Sequence, residues 1–576
     1  MHDASIRSAA WPGLLSARRI GAGMVLAAAA AVTTGMPAQA AIPAISFKTP
    51  VTTVHGALPL FRLQRSAPPT PFVSTALGTA IRPGVEKTRL VGRDQHGVMR
   101  GYVDAATGDA EIFPDLTAAS GPATATDEAP SVAGAIFART DIIPKDATRT
   151  RLGAATPVFS SQAQRSADGR THPLGTPSQL FTYVSAQRYA AGLPVVGSGS
   201  QATVAVGNDG SLRGFVRRWA TAFAAGVIRP TTTSDQLAKA IVTQLRGLQN
   251  ANTAITVDSV APAYYDGNAK YLQPVYLFYA TLRPVSGRGT SDHIRGYVPI
   301  GTLVEPIPVI GQNTGRAPSA PVGADPAAQL RTQGAVANQI SLGEYANRDG
   351  TMQDQANAYL NGFDALPAWW YGPPIVRAQW YWAYPFEVES SANSYLNAMQ
   401  VAYTMPHGDW WENTTYSNYA DFWYVYDIGV SGNPGYGAAA GGNLATWIID
   451  SCEVIPSFYD LQFTTGNGDN AFNYWWPVFQ GLHRALGFRT EMLLGEDTMN
   501  YDIALDMEEG ANANSAFFNT VAAFSFPTYE DYHLNNTTVH YDRASLMYDP
   551  RNANESIYSV QGQSASGQLQ NVWMGN

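Results

Sequence analysis

Apolar and polar positions alternate most regularly between residues 178 and 308. From Gly192 to Phe215 the alternation is in twos, interrupted by Asn208-Asp209-Gly210, which predicts two strands joined by a hairpin turn. Leu237, Ile241, Leu245 and Leu248 then recur at three to four residues. Ser234 to Leu248 is therefore expected to be an amphipathic helix with Ser234 as its N-cap. Pro274–Leu282 and Gly296–Gly301 read as strands, and Ser178–Ala191 as a strand or short helix. Upstream, Thr88–Asp104 reads as a hairpin turning at Asp94–Gly97, inside a stretch otherwise rich in Ala, Pro, Thr and Gly.

Residues 309–338 are rich in Pro, Gly and small polar residues. They are expected to be an exposed linker, with Arg316 and Arg331 open to proteolytic nicking. Beyond it, Asp354–Leu366 reads as a helix with Ala356, Leu360 and Phe363 on one face, and Ala471–Gly487 as a helix closed by Gly487. Ile375–Tyr384, Asp421–Ile428 and Phe488–Leu494 read as strands, as do two apolar runs, Met399–Gly408 and Leu444–Cys452. Strands alternating with helices predict an α/β domain with a mostly parallel sheet flanked by helices, preceded by α+β module(s). The expected organisation is a leader over 1–40, a β-containing irregular region over 41–165, an α+β module over 166–308, the linker over 309–338 and the α/β domain over 339–576.

Composition narrows the setting. Arg7, Arg18 and Arg19, the apolar run from Ile20 to Val32 and the small-residue site Ala38-Gln39-Ala40 make 1–40 a signal peptide, so the chain is expected to be secreted. No later stretch is apolar and long enough to span a bilayer. The net charge of −9, without a basic stripe, argues against a nucleic-acid partner. The chain has 1 Cys, which excludes an intrachain disulfide and leaves a chemical role for that thiol open.

The thiol is Cys452, which closes the run Ile448-Ile-Asp-Ser-Cys452. The other run, Tyr403-Thr-Met-Pro-His-Gly408, ends in His407-Gly408. Both residues fall at the carboxyl ends of expected strands, where α/β sheets build their sites. A lone Cys with a His elsewhere is a nucleophile-and-base pattern, and caspases keep that His about 50 residues before the Cys. The two pieces resemble the caspase, gingipain and legumain group of cysteine peptidases. With Gly481-Leu-His-Arg-Ala-Leu-Gly-Phe-Arg-Thr490, the stretch of about 340–525 is similar to an uncharacterised bacterial family of gingipain-like secreted proteins. Pro406 before His407 and Glu453 after Cys452 depart from that pattern.

The resemblance implies a caspase/gingipain-like fold and a cysteine endopeptidase acting on peptide or protein substrates. Cys452 would be the nucleophile and His407 the base. The N–H groups of Gly408 and Cys452 would form the oxyanion hole, and Asp450 would help form a pocket for a basic side chain. Residues 192–197, 204–210 and 273–276 resemble the propeptide module of thermolysin-type secreted peptidases, which implies a zymogen with an intramolecular prodomain. No His-Glu-x-x-His accompanies it. The alternatives are a catalytically inactive surface or binding protein on the same fold, and a cell-envelope amidase or transpeptidase.

Other candidates read more simply as structure. His483 is expected to pack on the Ala471–Gly487 helix. His533 and His540 match no zinc spacing, so no cofactor or catalytic metal is expected. The acidic residues between Glu496 and Glu509 could hold Ca²⁺ but read better as a solvated face. The tryptophans at 369, 370, 380, 382, 410, 411, 475 and 476 read as core or rim aromatics rather than a carbohydrate platform.

Overall fold

The computed structural model describes residues 42–310 and 340–575, with interruptions that include 286–290, 364–374, 381–384, 415–421 and 461–470. The expected leader, and the expected linker beyond Ile310, lie outside the described residues.

The N-terminal half is built from antiparallel strands. In chain order they are β1 (Arg89–Arg93), β2 (Met99–Asp104), β3 (Ala110–Ile112), β4 (Arg149–Arg165), β5 (Ser178–Ala190), β6 (Ser200–Gly207), β7 (Leu212–Trp219), β8 (Thr253–Tyr265), β9 (Tyr271–Pro284) and β10 (Asp292–Pro299). The β1–β2 turn falls where the sequence places it. Asp94 Oδ1 accepts from the N–H groups of His96 at 2.8 Å and Val98 at 3.0 Å, and Gly97 takes φ 81°. Helix α1 (Ala129–Thr140), helix α2 (Ser234–Leu245), a shorter helix over Thr70–Leu77 and further strands, among them Leu58–Gln64, Leu193–Val196 and Thr221–Ile228, also belong to this half. The cap of α2 is Thr233, one residue before the expected Ser234. Its hydroxyl accepts from Gln236 N–H while Gln236 Oε1 accepts from Thr233 N–H at 2.9 Å, a reciprocal box that Ser234 cannot form.

The C-terminal half adds β11 (Ile340–Ala346), β12 (Ile375–Trp380), β13 (Val401–Met405), β14 (His407–Asp409), β15 (Thr446–Ile449), β16 (Arg484–Phe488), β17 (Leu493–Leu494), β18 (Ala544–Tyr548) and β19 (Gln568–Met574). Helices α3 (Gly350–Phe363), α4 (Asp497–Glu508) and α5 (Ala513–Ala523) belong to it as well. Five of these strands pair in parallel, in the order β12-β11-β13-β15-β16. β18 then joins β16 antiparallel and β19 joins β18. β19 also pairs antiparallel with β4 of the N-terminal half, from Gln568 opposite Gln164 to Met574 opposite Val158. The sheet continues through β5, β6, β7, β3, β2 and β1.

The protein is thus mixed α/β around one large sheet. The expected mostly parallel sheet needs correcting: parallel pairing is concentrated in the five strands above, and the sheet as a whole is largely antiparallel. The reason is that residues 42–310 supply many hairpin-linked strands in register with the C-terminal ones, and hairpins pair antiparallel. Residues 42–576 form one compact unit.

Helix α3 lies over β13, with Tyr359 stacked on Tyr403 at 4.3 Å between ring centroids. It packs against α4 closely enough that a Cβ on Gly362 would collide with the Tyr501 carbonyl oxygen. The expected helix over Ala471–Gly487 is a correction: the helix stops at Trp475, and Arg484–Phe488 is β16. Pro477 cannot continue the helical ladder, and Gly481 takes φ 98°. His483 therefore sits just before a strand, buried, with Nδ1 2.7 Å from Glu555 Oε2. The acidic face expected between Glu496 and Glu509 is also corrected. Asp506, Glu508 and Glu509 are buried; Asp502 pairs with Arg218, and Glu509 with Arg89, across to the N-terminal half. Trp475 and Trp476 are core residues, and nothing is described of the side chains of the other six tryptophans.

Candidate active site

Adjacent parallel strands set the site. β13 and β15 pair from Val401 opposite Thr446 to Thr404 opposite Ile449, so their carboxyl ends emerge side by side. The chain leaving β13 turns at Pro406 into β14, carrying His407. The chain leaving β15 carries Ser451 and Cys452. The Ser451 hydroxyl donates to the Pro406 carbonyl at 2.9 Å and ties the two ends together. Gly408 lies so close to the second end that a Cβ there would collide with the Cys452 carbonyl oxygen. It would also lie 2.8 Å from Ser451 Cβ and 2.9 Å from the Cys452 nitrogen. The two residues picked from strand-end position in the sequence are thus brought together, with a glycine where only a glycine fits.

Both side chains are buried, Cys452 at 8% and His407 at 2% relative exposure. The Cys452 Sγ accepts from Met492 N–H at 3.2 Å. His407 Nδ1 lies 2.5 Å from Asp292 Oδ1, on a residue 115 positions earlier in the chain. Burial pushes the Cys452 thiol well above its usual value. The Glu491, Asp292 and Glu453 carboxylates push the same way, and the Met492 N–H opposes them. Glu453 sits at φ 53°, left-handed backbone for which glycine is better suited. Its buried carboxyl is raised too, first by burial and then by Asp531, Glu491 and Asp409.

Asp450 is buried in a small polar network. Its Oδ2 accepts from the Tyr403 hydroxyl and, at 2.8 Å, from Asn500 Nδ2. Burial pushes its carboxyl up to about 6, against those two hydrogen bonds. The structure places it against Asn500 of α4.

A cleft of ≈ 570 Å³ is lined by Glu491 and Leu493, which flank the residue whose N–H holds the thiol, but by neither Cys452 nor His407. Asp258, Thr281 and His293 of the N-terminal half form one wall, and Glu491, Tyr529 and Tyr541 the other. His293 Nε2 meets Glu491 Oε2 at 2.7 Å across it. Glu491 precedes the residue whose N–H holds the thiol. Asp292, His293 and Glu491 escaped the sequence reading. They lie in no recognisable motif, and only the pairing of β10 with β17 brings them to the strand ends.

Among the described residues the other histidines do not join this site. His540 Nδ1 meets the Phe526 carbonyl at 2.8 Å, and burial lowers its pKa; His533 lies outside the described residues. Among the described residues no group of three or more His, Cys, Asp or Glu could hold a metal ion. No helix among them is long and apolar enough to cross a membrane.

No protein-family model matches the chain, and no curated protein matches it. Among solved structures it is similar to an uncharacterized protein from Eubacterium rectale ATCC 33656, with 10% sequence identity and a TM-score of 0.22. That likeness covers 44% of this chain and 86% of the other, and at this level it carries no argument.

Proposed function

We propose that the chain is a secreted cysteine endopeptidase of the caspase/gingipain-like kind, made as a zymogen, with Cys452 as nucleophile and His407 as base. The observation that carries this reading is the convergence of the β13 and β15 ends, where Gly408 packs onto the Cys452 backbone without room for a Cβ. The strand order β12-β11-β13-β15-β16, closed by antiparallel β18, supports the same fold reading. In the proposed reaction the thiol proton passes to His407 as sulfur bonds to the acyl carbon. His407 then returns the proton to the leaving amine, and water releases the thioester. The N–H groups of Gly408 and Cys452, on touching backbone segments, would receive the oxyanion. Burial of both reacting side chains fits a latent form that a cut within 309–338 opens.

A second reading, a catalytically silent binding protein on the same fold, has one observation in its favour. Burial first, and then the nearby carboxylates, push the thiol pKa up, the opposite of what a free-standing nucleophile needs. Labelling separates the two. After limited proteolysis of the linker, peptide acyloxymethyl-ketone probes with Arg, Lys, Asp, Asn or Leu at P1 should label Cys452. Labelling should vanish in Cys452→Ala and His407→Ala. Absence of labelling by every probe would defeat the peptidase reading.

A further inference from the structure

We infer that Asp292 is the positioning residue of the dyad, and that the 166–308 module which carries it is a resident part of the site rather than a piece released on maturation. This deepens the peptidase reading and rests on it for the word dyad. Asp292 is the first residue of β10. That strand pairs antiparallel with β9, from Asp292 opposite Leu282 to Pro299 opposite Val275. On its other edge it pairs parallel with β17, His293 opposite Leu493 and Ile294 opposite Leu494. One short strand of the module therefore touches His407 itself and the segment that holds the thiol. Asp292 takes His407 Nδ1 at 2.5 Å. The next residue, His293, meets Glu491 at 2.7 Å, one position before the Met492 N–H that holds the thiol.

A carboxylate on Nδ1 fixes the proton there and leaves Nε2 to exchange a proton with sulfur. It also stabilises the imidazolium as that forms. The buried Asp292 side chain, 7% exposed against 1% for His407, makes the pairing strong because little water competes for it. The module also belongs to the same sheet as the C-terminal half, since its β5 pairs with β4, which pairs with β19. A prodomain held only over the mouth of a site would share no sheet with it.

The sign of one substitution separates positioning from simple charge. Asp292 also opposes ionisation of the thiol. If charge were its whole role, Asp292→Asn in the full chain nicked in the linker would speed labelling of Cys452. As a positioning residue, the same change should slow labelling roughly 100-fold or more, since triads with the wrong tautomer lose up to ~10⁴ in rate. Asp292→Glu should recover part of the loss. Labelling at or above the wild-type rate in Asp292→Asn would overturn the inference.

Should Asp292→Asn fail to fold, nitrogen-15 NMR of the unsubstituted chain decides. The His407 signals, assigned by their loss in His407→Gln, should show Nδ1 protonated at neutral pH. A neutral ring protonated only at Nε2 would overturn the inference. This readout stands even if His407→Ala labels normally, an outcome that would defeat the peptidase reading alone. Residency is tested by nicking at Arg316 or Arg331. The two fragments should stay together on native gel filtration, and departure of the N-terminal fragment would refute it.

Discussion

At the scale of single residues, the site is defined by what surrounds the thiol. Cys452 has one backbone donor at 3.2 Å and three carboxylates whose charge opposes its ionisation, the nearest in effect being Glu491. Removing one of those charges should favour the thiolate. Glu491→Gln is expected to move the pH profile of Cys452 alkylation by iodoacetamide to lower pH. An unmoved profile would show that burial alone sets the thiol. His407 and Cys452 were legible in the sequence because each ends an apolar run, and strand ends are where α/β sheets build sites. Asp292 and Glu491 were not legible. Each is a single carboxylate without a motif, placed by long-range strand pairing that no local pattern encodes. Asp450 was legible as a neighbour of the thiol, but not its direction. A strand sends alternate side chains to opposite faces, and Asp450 goes inward to Tyr403 and Asn500.

At the scale of elements, the site depends on how closely two strand ends approach. Gly408→Ala should keep the fold while separating those ends, because the added methyl meets backbone atoms of Cys452 and the Cβ of Ser451, just past the end of β15. Overpacking of this kind costs about 1–3 kcal/mol. The expected result is a cooperative thermal transition at lowered Tm together with lost Cys452 labelling. Full labelling would mean that the approach is dispensable. Local periodicity served well where one face of an element is buried, as in α2 and the hairpins of 88–104 and 200–219. It failed at 471–487, where apolar residues fall at spacings that suit a helix and a strand equally. There Pro477 decides against the longer helix. It also missed β4 and α1, whose Ala- and Thr-rich sequences carry weak patterns of their own and gain their burial from neighbours distant in the chain.

At the scale of the molecule, buried carboxyls set how stability depends on pH. Burial raises Asp450 to about 6, Glu111 to about 7 despite Arg218, and Glu387 to about 9. Asp506 and Asp542 are raised as well, again by burial first. In the unfolded chain all of these ionise near pH 4. Between pH 4 and the folded values, the native state holds protons that the unfolded state has lost. Stability therefore falls as pH rises through that window. The lowered carboxyls, Asp168 and Asp209, held down first by Ser166 and Ser211, act with the opposite sign but only below pH 4. The protein should be most stable in mildly acidic solution and weaken steadily toward neutrality, as read from denaturation midpoints between pH 4 and 9. A maximum above pH 7 would contradict this. Asp450→Asn should flatten the segment between pH 4 and 6 by about 3 kcal/mol, the value of a two-unit shift in a fully buried group.

The strand β19 has a consequence for the order in which the protein can be made. It is the seam through which the parallel strands of the C-terminal half and the hairpins of the N-terminal half become one sheet, and it follows in the chain every strand it joins. The β4 edge therefore stays open while about 400 further residues are made, and the β18 edge opens shortly before β19 follows. Both partners are present when this seven-residue strand arrives. Nucleation by nearby contacts does not help here, because the seam joins segments about 400 residues apart. A chain cut short before Gln568 would keep both of these edges unpaired and adhesive.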